Sequence, residues 1–134
     1  MGILVKVRDL MNPNLISVEG NTSVDDAIRT MFDHEIESIV VTQDGTPVGI
    51  VTESDYLTKV CGKLDGTTIS VEKIMNSPLS TIELDASLYK AARLMLDHNI
   101  QRLFVTRGEI IVGTFTQKDL LNKINDILFV LGTT

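Results

Sequence analysis

The sequence predicts an α/β fold made of two pseudo-symmetric β-α-β-β-α halves packed as one module, and three observations support this prediction. Residues 7–60 align without a gap with residues 71–124 at a constant offset of 64 positions, with 20 of 54 positions identical. In each half an amphipathic helical pattern precedes two β-branched apolar runs. Each second run ends in Thr-x-x-Asp. We expect the halves to share one body, because either half alone would bury too little apolar surface.

The first helix of each half is predicted by the spacing of its apolar residues. They recur at i, i+3, i+4, i+7 and i+8 from Val24 to Phe32, and the same spacing returns 64 positions later. A serine precedes each pattern and is a typical N-cap residue. We expect these helices to cover Thr22–Asp33 and Ser87–His98.

Two β-strands follow each helix. In the first half they are predicted at residues 38–42 and 47–51, on either side of the turn Gln43-Asp44-Gly45. In the second half they are predicted at residues 102–106 and 110–116. The runs are largely apolar, so we expect both faces of the sheet to be covered. The remaining predicted elements are helical turns at 7–11 and 71–75, extended segments at 15–18 and 79–82, and closing helices at 54–61 and from position 118.

The repeat also sets the predicted domain boundaries. Residues 7–61 form the first repeat, 62–70 a linker, 71–125 the second repeat and 126–134 an apolar C-terminal tail. The tail needs a covering surface because residues 127–131 are apolar on all sides. We expect it to pack on residues 3–5 or on a second copy of the chain.

Composition and charge disfavour several classes of function. A net charge of −6, with four Phe, two Tyr and no Trp, disfavours nucleic-acid binding, which relies on basic surfaces and stacking aromatics. No apolar run approaches the length of a membrane span, and no signal-peptide pattern is present, so we expect a cytoplasmic protein.

Metal binding and catalysis are not predicted. Cys61 is the only cysteine, and His34 and His98 recur at matching helix ends without further ligands at metal-binding spacing. No Ser-His-Asp set, Walker loop or dinucleotide-binding glycine motif is recognisable, so we predict that the chain is not an enzyme and requires no cofactor.

The most informative stretches are the two strand-to-helix corners. Thr52 is a good N-cap, and Asp55 places a carboxylate in the first helical turn, where the helix dipole favours it. Thr116 and Asp119 repeat this pattern, and a glycine precedes each threonine by three positions. Helix capping alone accounts for each corner. Two such corners at matched spacing also indicate a duplicated polar pocket.

The arrangement resembles a tandem pair of cystathionine-β-synthase (CBS) domains, also called a Bateman module. The resemblance covers residues 7–124, and its motif residues are the two Gly-x-x-Thr-x-x-Asp corners. It implies a regulatory module that binds an adenosyl ligand, such as AMP, ADP, ATP or S-adenosylmethionine, in clefts between the two repeats. The residues of this sequence that match the ligand-binding positions are Ile16, Ser17, Thr52, Ser54, Asp55, Ser80, Thr81, Arg102, Thr116, Lys118 and Asp119.

The resemblance implies a role for each group of residues. Asp55 and Asp119 would hold ribose hydroxyls, and Thr52, Ser54 and Thr116 would reach phosphate oxygens. Backbone groups of Ile16-Ser17 and Ser80-Thr81 would face the adenine edge. Arg102 fills the position of a basic residue that reaches the phosphate in the cleft of the opposite half, whereas Ser38 fills it in the first half.

This difference leads us to expect unequal clefts. The cleft with Thr52, Ser54, Asp55 and Arg102 is expected to bind phosphate better, because Arg pairs bidentately with phosphate oxygens. The cleft with Thr116 and Asp119 has only Lys118 as a substitute. The alternative for Arg102 is an ion pair with a surface acid such as Glu37 or Asp44.

From these features we expect a ligand sensor that forms a homodimer through its helices and tail, and that acts on an effector protein of unknown identity. The alternative is a structural or scaffold dimer whose clefts bind no ligand. The serine at position 38 is the best support for that alternative.

Overall fold

The computed structural model describes residues 5–77 and 79–132, apart from the side chains of residues 127 and 129–131. The chain forms two compact units, each built on a three-stranded sheet. One consists of Ile16–Leu79, and we call it the Asp55 unit. The other joins Met1–Leu15 to Ser80–Thr134, and we call it the Asp119 unit. The predicted α/β fold with two repeats of β-α-β-β-α is confirmed.

The elements follow the predicted order. The helices are α1 (Val7–Leu10), α2 (Val24–Asp33), α3 (Glu53–Lys59), α4 (Leu88–Asp97) and α5 (Gln117–Gly132), with a 3₁₀ turn at Val71–Lys73. The strands are β1 (Ser17–Glu19), β2 (Ser38–Gln43), β3 (Thr46–Thr52), β4 (Thr81–Glu83), β5 (Arg102–Arg107) and β6 (Ile110–Thr116).

Both sheets have the same topology. In the Asp55 unit β2 is central, parallel to β1 and antiparallel to β3, and β5 takes this place between β4 and β6 in the Asp119 unit. Residues 39–42 and 103–106 are all buried. Because successive strand residues point to opposite faces, both faces of each central strand are covered, as predicted.

The helices α2 and α4 each end in a left-handed turn. Glu35 has a φ of 54°, and the Ile36 N–H donates to the Met31 carbonyl over 3.0 Å, which is the hydrogen bond of a Schellman motif. The second unit repeats this turn at Asn99, with a φ of 52°. The turn redirects the chain from each helix toward the central strand.

Each unit is completed by a segment from outside its own sequence repeat. In the Asp119 unit, Asn12 and Thr114 exchange two backbone hydrogen bonds of 2.8 and 2.9 Å. In the Asp55 unit, Asn76 and Ile50 exchange two of 2.9 and 3.0 Å. The opening segment of each sequence repeat therefore pairs with the sheet formed by the other repeat.

Glycines make this pairing possible. A Cβ atom on Gly113 would lie 2.7 Å from the carbonyl oxygen of Asn12, and one on Gly49 would lie 2.9 Å from that of Asn76. The sequence predicts a close approach of a backbone or a ligand at Gly49. The structure shows that a backbone makes this approach.

The C-terminal tail belongs to α5, which continues to Gly132. The packing predicted between the tail and residues 3–5 lies outside the described residues, since residues 3 and 4 and most tail side chains are not among them. Within the described ranges, no helix combines the length and apolar character required to cross a membrane.

Candidate ligand-binding corners

The corner of the Asp55 unit is a reciprocal helix cap. The Asp55 N–H donates to Thr52 Oγ1 over 3.2 Å, and the Thr52 N–H donates to Asp55 Oδ2 over 2.8 Å. Thr52 thereby satisfies a backbone donor that the first turn of α3 leaves without a helical partner. The predicted capping role of both residues is confirmed.

The Asp119 unit forms the same cap at the start of α5. The Asp119 N–H donates to Thr116 Oγ1 over 3.1 Å, and the Thr116 N–H donates to Asp119 Oδ2 over 2.9 Å. The two corners therefore share their backbone arrangement, so any difference between them comes from the surrounding side chains.

The carboxylate of Asp55 is enclosed by further donors. Its Oδ2 atom also accepts from Asn76 Nδ2 over 2.8 Å and from the Thr52 hydroxyl over 3.1 Å, while Oδ1 lies 3.3 Å from Lys59 Nζ. The side chain is only 10% exposed. A carboxylate has about four acceptor positions, so these donors, with the Thr52 N–H, leave little capacity for another ligand.

The carboxylate of Asp119 is more open. The residue is half-buried, and in the described part of the chain Thr116 alone donates a hydrogen bond to its carboxylate. Asn12 and Lys123 are the counterparts of Asn76 and Lys59, but among the described residues neither side chain forms a hydrogen bond or an ion pair with Asp119. Asn12 Oδ1 instead accepts from the Asn14 N–H over 2.9 Å. The same residue types thus cover one corner and leave the other accessible.

The surroundings of Asp55 favour its charged form. Burial of the carboxyl disfavours the charge and acts to raise the pKa, but hydrogen bonds from Thr52, Asn76 and Lys59 outweigh it. The pKa of Asp55 therefore lies below its usual value of 3.8. At neutral pH Asp55 is therefore an ionised carboxylate that already accepts hydrogen bonds from residues of this chain.

The residues that flank the two corners differ in charge. Glu37 and Glu53 lie together in the Asp55 unit, where the Glu53 N–H donates to the Glu37 carbonyl over 3.1 Å. Gln101 and Gln117 occupy the matching positions, with the same hydrogen bond at 2.9 Å. The corner of the Asp55 unit is therefore flanked by two acids that the other corner lacks.

Both basic residues among the predicted ligand contacts lie in the Asp119 unit. Arg102 is half-buried and is the cross-strand partner of Thr116, and Lys118 is exposed in the first turn of α5. In the Asp55 unit the matching residues are Ser38, which pairs with Thr52, and the exposed Ser54. The assignment of Arg102 to the cleft of Thr52, Ser54 and Asp55 remains a prediction.

The segments predicted to face adenine lie at the start of the edge strand opposite each corner. The Ile16 carbonyl accepts from the Val40 N–H over 3.0 Å, and the Ser80 carbonyl accepts from the Phe104 N–H over 2.8 Å. Ser17 and Thr81 begin β1 and β4 and are exposed. In each unit the central strand separates this segment from the corner, so roughly 10 Å lies between them. An extended nucleotide is long enough to bridge that distance.

A cavity of about 540 Å³ lies in the Asp55 unit at the end of α2. It is lined by Met31, Phe32, Asp33, Glu35, Ile36, Glu37 and Glu53, which include no residue of the predicted ligand site. Its four carboxylates would repel a phosphate group. We therefore do not assign the predicted nucleotide site to this cavity.

Sequence reasoning missed the roles of Asn76 and Lys59. Two signals were available: Asn76 recurs as Asn12 in the repeat, and Lys59 follows Asp55 by four positions, a spacing that brings side chains together on a helix. Within the described ranges, no group of three or more His, Cys, Asp or Glu side chains is arranged to hold a metal ion.

Comparisons with known proteins identify the fold of both units. The family model of the CBS domain matches residues 7–62 and 71–126. A crystal structure of an uncharacterised conserved protein from Pyrococcus horikoshii is 34% identical and has a TM-score of 0.81, covering 92% of this chain and 94% of that chain. A hexameric CBS-CP12 protein from bloom-forming cyanobacteria is 27% identical, with a TM-score of 0.81 over 90% of this chain and 72% of that one.

Curated relatives include longer proteins. An uncharacterised protein of Methanocaldococcus jannaschii is 36% identical over 91% of this chain, which spans only 32% of that protein. The CBS domain-containing protein YhcV of Bacillus subtilis is 29% identical over 85% of this chain and 81% of its own length. For three of the curated relatives, the chain spans only 32%, 61% and 24% of the relative's own length. Tandem CBS domains are generally regulatory, ligand-binding modules. With two matched domains covering most of its length, this chain belongs to the CBS-domain family.

Proposed function

We propose that this chain is a regulatory module that senses an adenosyl ligand, either an adenine nucleotide or S-adenosylmethionine, at its CBS corners. The observation that supports the proposal most strongly is the duplicated Thr–Asp corner. A ribose diol presents two hydroxyl donors, and one fixed carboxylate can accept both. Asp119 is held in place by Thr116 and has acceptor capacity left among the described residues.

The remaining predicted contacts fit the rest of the ligand. Lys118 supplies positive charge beside Thr116, where a phosphate would be attracted. Arg102, which the resemblance assigns to the cleft of Asp55, is the cross-strand partner of Thr116 and adds positive charge next to it. Ser80 and Thr81 lie across the central strand, where the adenine is predicted to bind. In the other unit, Ile16, Ser17, Thr52 and Ser54 occupy the same relative positions. Signalling would follow if the ligand binds two conformations with different affinity.

The proposal includes self-association and an effector protein in the cytoplasm. Phe32 of α2 is 82% exposed, and Tyr89 and Leu96 of α4 are 76% and 70% exposed. Large apolar side chains exposed at this level favour an interface, and we propose a homodimer formed by these helices. Size-exclusion chromatography with light scattering should give twice the mass of the chain at micromolar concentration. A monomer under these conditions would rule out the homodimer.

Thermal-shift measurements test ligand binding directly. The intact chain is heated with AMP, ADP, ATP, S-adenosylmethionine or a polyphosphate control at millimolar concentration. A ligand that binds only the folded protein raises the unfolding temperature by mass action, by several degrees at 100 times its Kd. The proposal predicts a shift with at least one adenosyl ligand and none with polyphosphate. No shift with any adenosyl ligand would contradict it.

A scaffold dimer without ligand is the second candidate. It is favoured by the Asp55 corner, where Asn76 and Lys59 already occupy the carboxylate. The same panel separates the two functions, since a scaffold should unfold at one temperature whatever adenosyl compound is present.

A further inference from the structure

We propose that the two corners are functionally unequal, and that a phosphate-bearing nucleotide binds at Asp119 while the Asp55 corner is a closed structural cap. This inference rests on the proposed function and specifies which site performs it. It reverses the ranking expected from the sequence, which favoured the cleft of Asp55.

The carboxylates of the two corners differ in their hydrogen bonding. A ribose diol at Asp55 would have to displace Asn76 Nδ2 at 2.8 Å or Lys59 Nζ at 3.3 Å. Displacing Asn76 breaks the hydrogen bond of its exposed amide, and displacing Lys59 breaks the ion pair of a half-buried ammonium. Ligand binding must first replace the contact that it breaks. At Asp119 the described residues impose no such exchange, because only Thr116 donates to the carboxylate.

The two corners also differ in charge, independently of the hydrogen bonds to their carboxylates. At four matched positions the Asp55 corner carries Glu37, Ser38, Glu53 and Ser54, whereas the Asp119 corner carries Gln101, Arg102, Gln117 and Lys118. At these four positions the Asp55 corner has two carboxylates and the Asp119 corner has two cations, while Lys59 at the Asp55 corner is already paired with Asp55. The hydrogen bonds from residue 53 to 37 and from 117 to 101 place these residues equivalently in both units. An anionic ligand is therefore repelled from the first corner and attracted to the second.

The repeat itself supplies the matched variants for a test. Gln117→Glu with Lys118→Ser gives the Asp119 corner the residues of the other repeat, and Glu53→Gln with Ser54→Lys makes the reverse exchange. All four side chains are exposed in the first turn of a helix, so we expect both double variants to fold. Asp119→Ala removes the carboxylate itself.

The experiment is isothermal titration of AMP, ADP, ATP and adenosine into the intact chain and each variant. We expect one nucleotide per chain for the unmodified protein. Gln117→Glu with Lys118→Ser should weaken nucleotide binding by about tenfold or more, while adenosine affinity stays within about twofold. Asp119→Ala should abolish binding of nucleotide and adenosine alike. Glu53→Gln with Ser54→Lys should leave the affinity of the single site unchanged.

Other outcomes overturn the inference in distinguishable ways. Two equal sites per chain, or a loss of affinity confined to Glu53→Gln with Ser54→Lys, would refute it and leave the proposed function standing. Binding of adenosine or S-adenosylmethionine, with no binding of AMP, ADP or ATP, would also refute this inference and leave the proposed function standing. The absence of binding by every adenosyl compound would refute both proposals. Circular dichroism spectra that match those of the unmodified chain exclude unfolding as the cause of lost binding.

Discussion

Replacement of Asp55 by alanine is expected to lower the free energy of unfolding by about 3 kcal/mol. The substitution removes a nearly buried carboxylate that accepts from the Asn76 amide and the Thr52 N–H. It also removes the ion pair with Lys59, whose ammonium keeps the Ile74 carbonyl as an acceptor at 2.9 Å. Asp119→Ala is the matched comparison, and it should cost only about 1 kcal/mol because this carboxylate is half-buried and mainly completes a helix cap. Urea titration followed by circular dichroism measures both values.

Measurements at acidic pH test whether the ionised carboxylate of Asp55 accounts for this loss of stability. The pKa of Asp55 in the folded chain lies below 3.8, so its stabilising contribution is complete above that value and is lost as the pH falls through the folded-state pKa. The difference in stability between the unmodified chain and Asp55→Ala should therefore shrink as the pH falls below about 4. Equal costs for the two aspartate variants at neutral pH would contradict the closed cap described for Asp55.

Replacement of Gly113 by alanine is expected to destabilise the chain by a similar amount, about 3 kcal/mol. The added Cβ would lie 2.7 Å from the Asn12 carbonyl oxygen and 3.0 Å from Met11 Sδ. Asn12 cannot move away without weakening its two backbone hydrogen bonds to Thr114. The clash is therefore with a fixed backbone atom, and relief requires loss of the pairing itself.

Gly20→Ala is the control for this substitution. Gly20 is also buried, but its Cβ would meet Glu72 Oε2 at 2.9 Å and Glu72 Cβ at 3.3 Å, and the end of that flexible side chain can turn aside. We expect a cost below about 1 kcal/mol. If chemical denaturation shows the same midpoint for Gly113→Ala and the unmodified chain, the close approach of Asn12 is not rigid.

Periodicity and repetition were sufficient to predict the elements and the fold. The 3.6-residue pattern from Val24 onward and the β-branched strands gave the correct element types, and most predicted bounds lie within one or two residues of those observed. Because the two repeats align without a gap, each element predicted in the first repeat could also be predicted in the second. The type and bounds of an element depend mainly on local sequence, so they can be predicted from the sequence alone.

The character of the site was less predictable because it depends on contacts between distant residues. Asn76 lies 21 positions after Asp55, and nothing in its local sequence indicates that its amide donates to that carboxylate. The repeat suggests that Asn12 should do the same for Asp119, yet Asn12 caps Asn14 instead. Identical residues at matched positions thus form different hydrogen bonds. The sequence repeat alone predicts two equivalent corners, and the side chains make them different.

The reciprocal placement of the opening segments has a consequence for how copies of this chain can combine. Asn12 of the first repeat pairs with β6, and Asn76 of the second repeat pairs with β3. Each unit therefore needs a segment that the other sequence repeat supplies. A polypeptide cut in the linker would yield two pieces that each lack a complementary edge. Such pieces, or two intact chains that trade these segments, have a ready route to domain swapping.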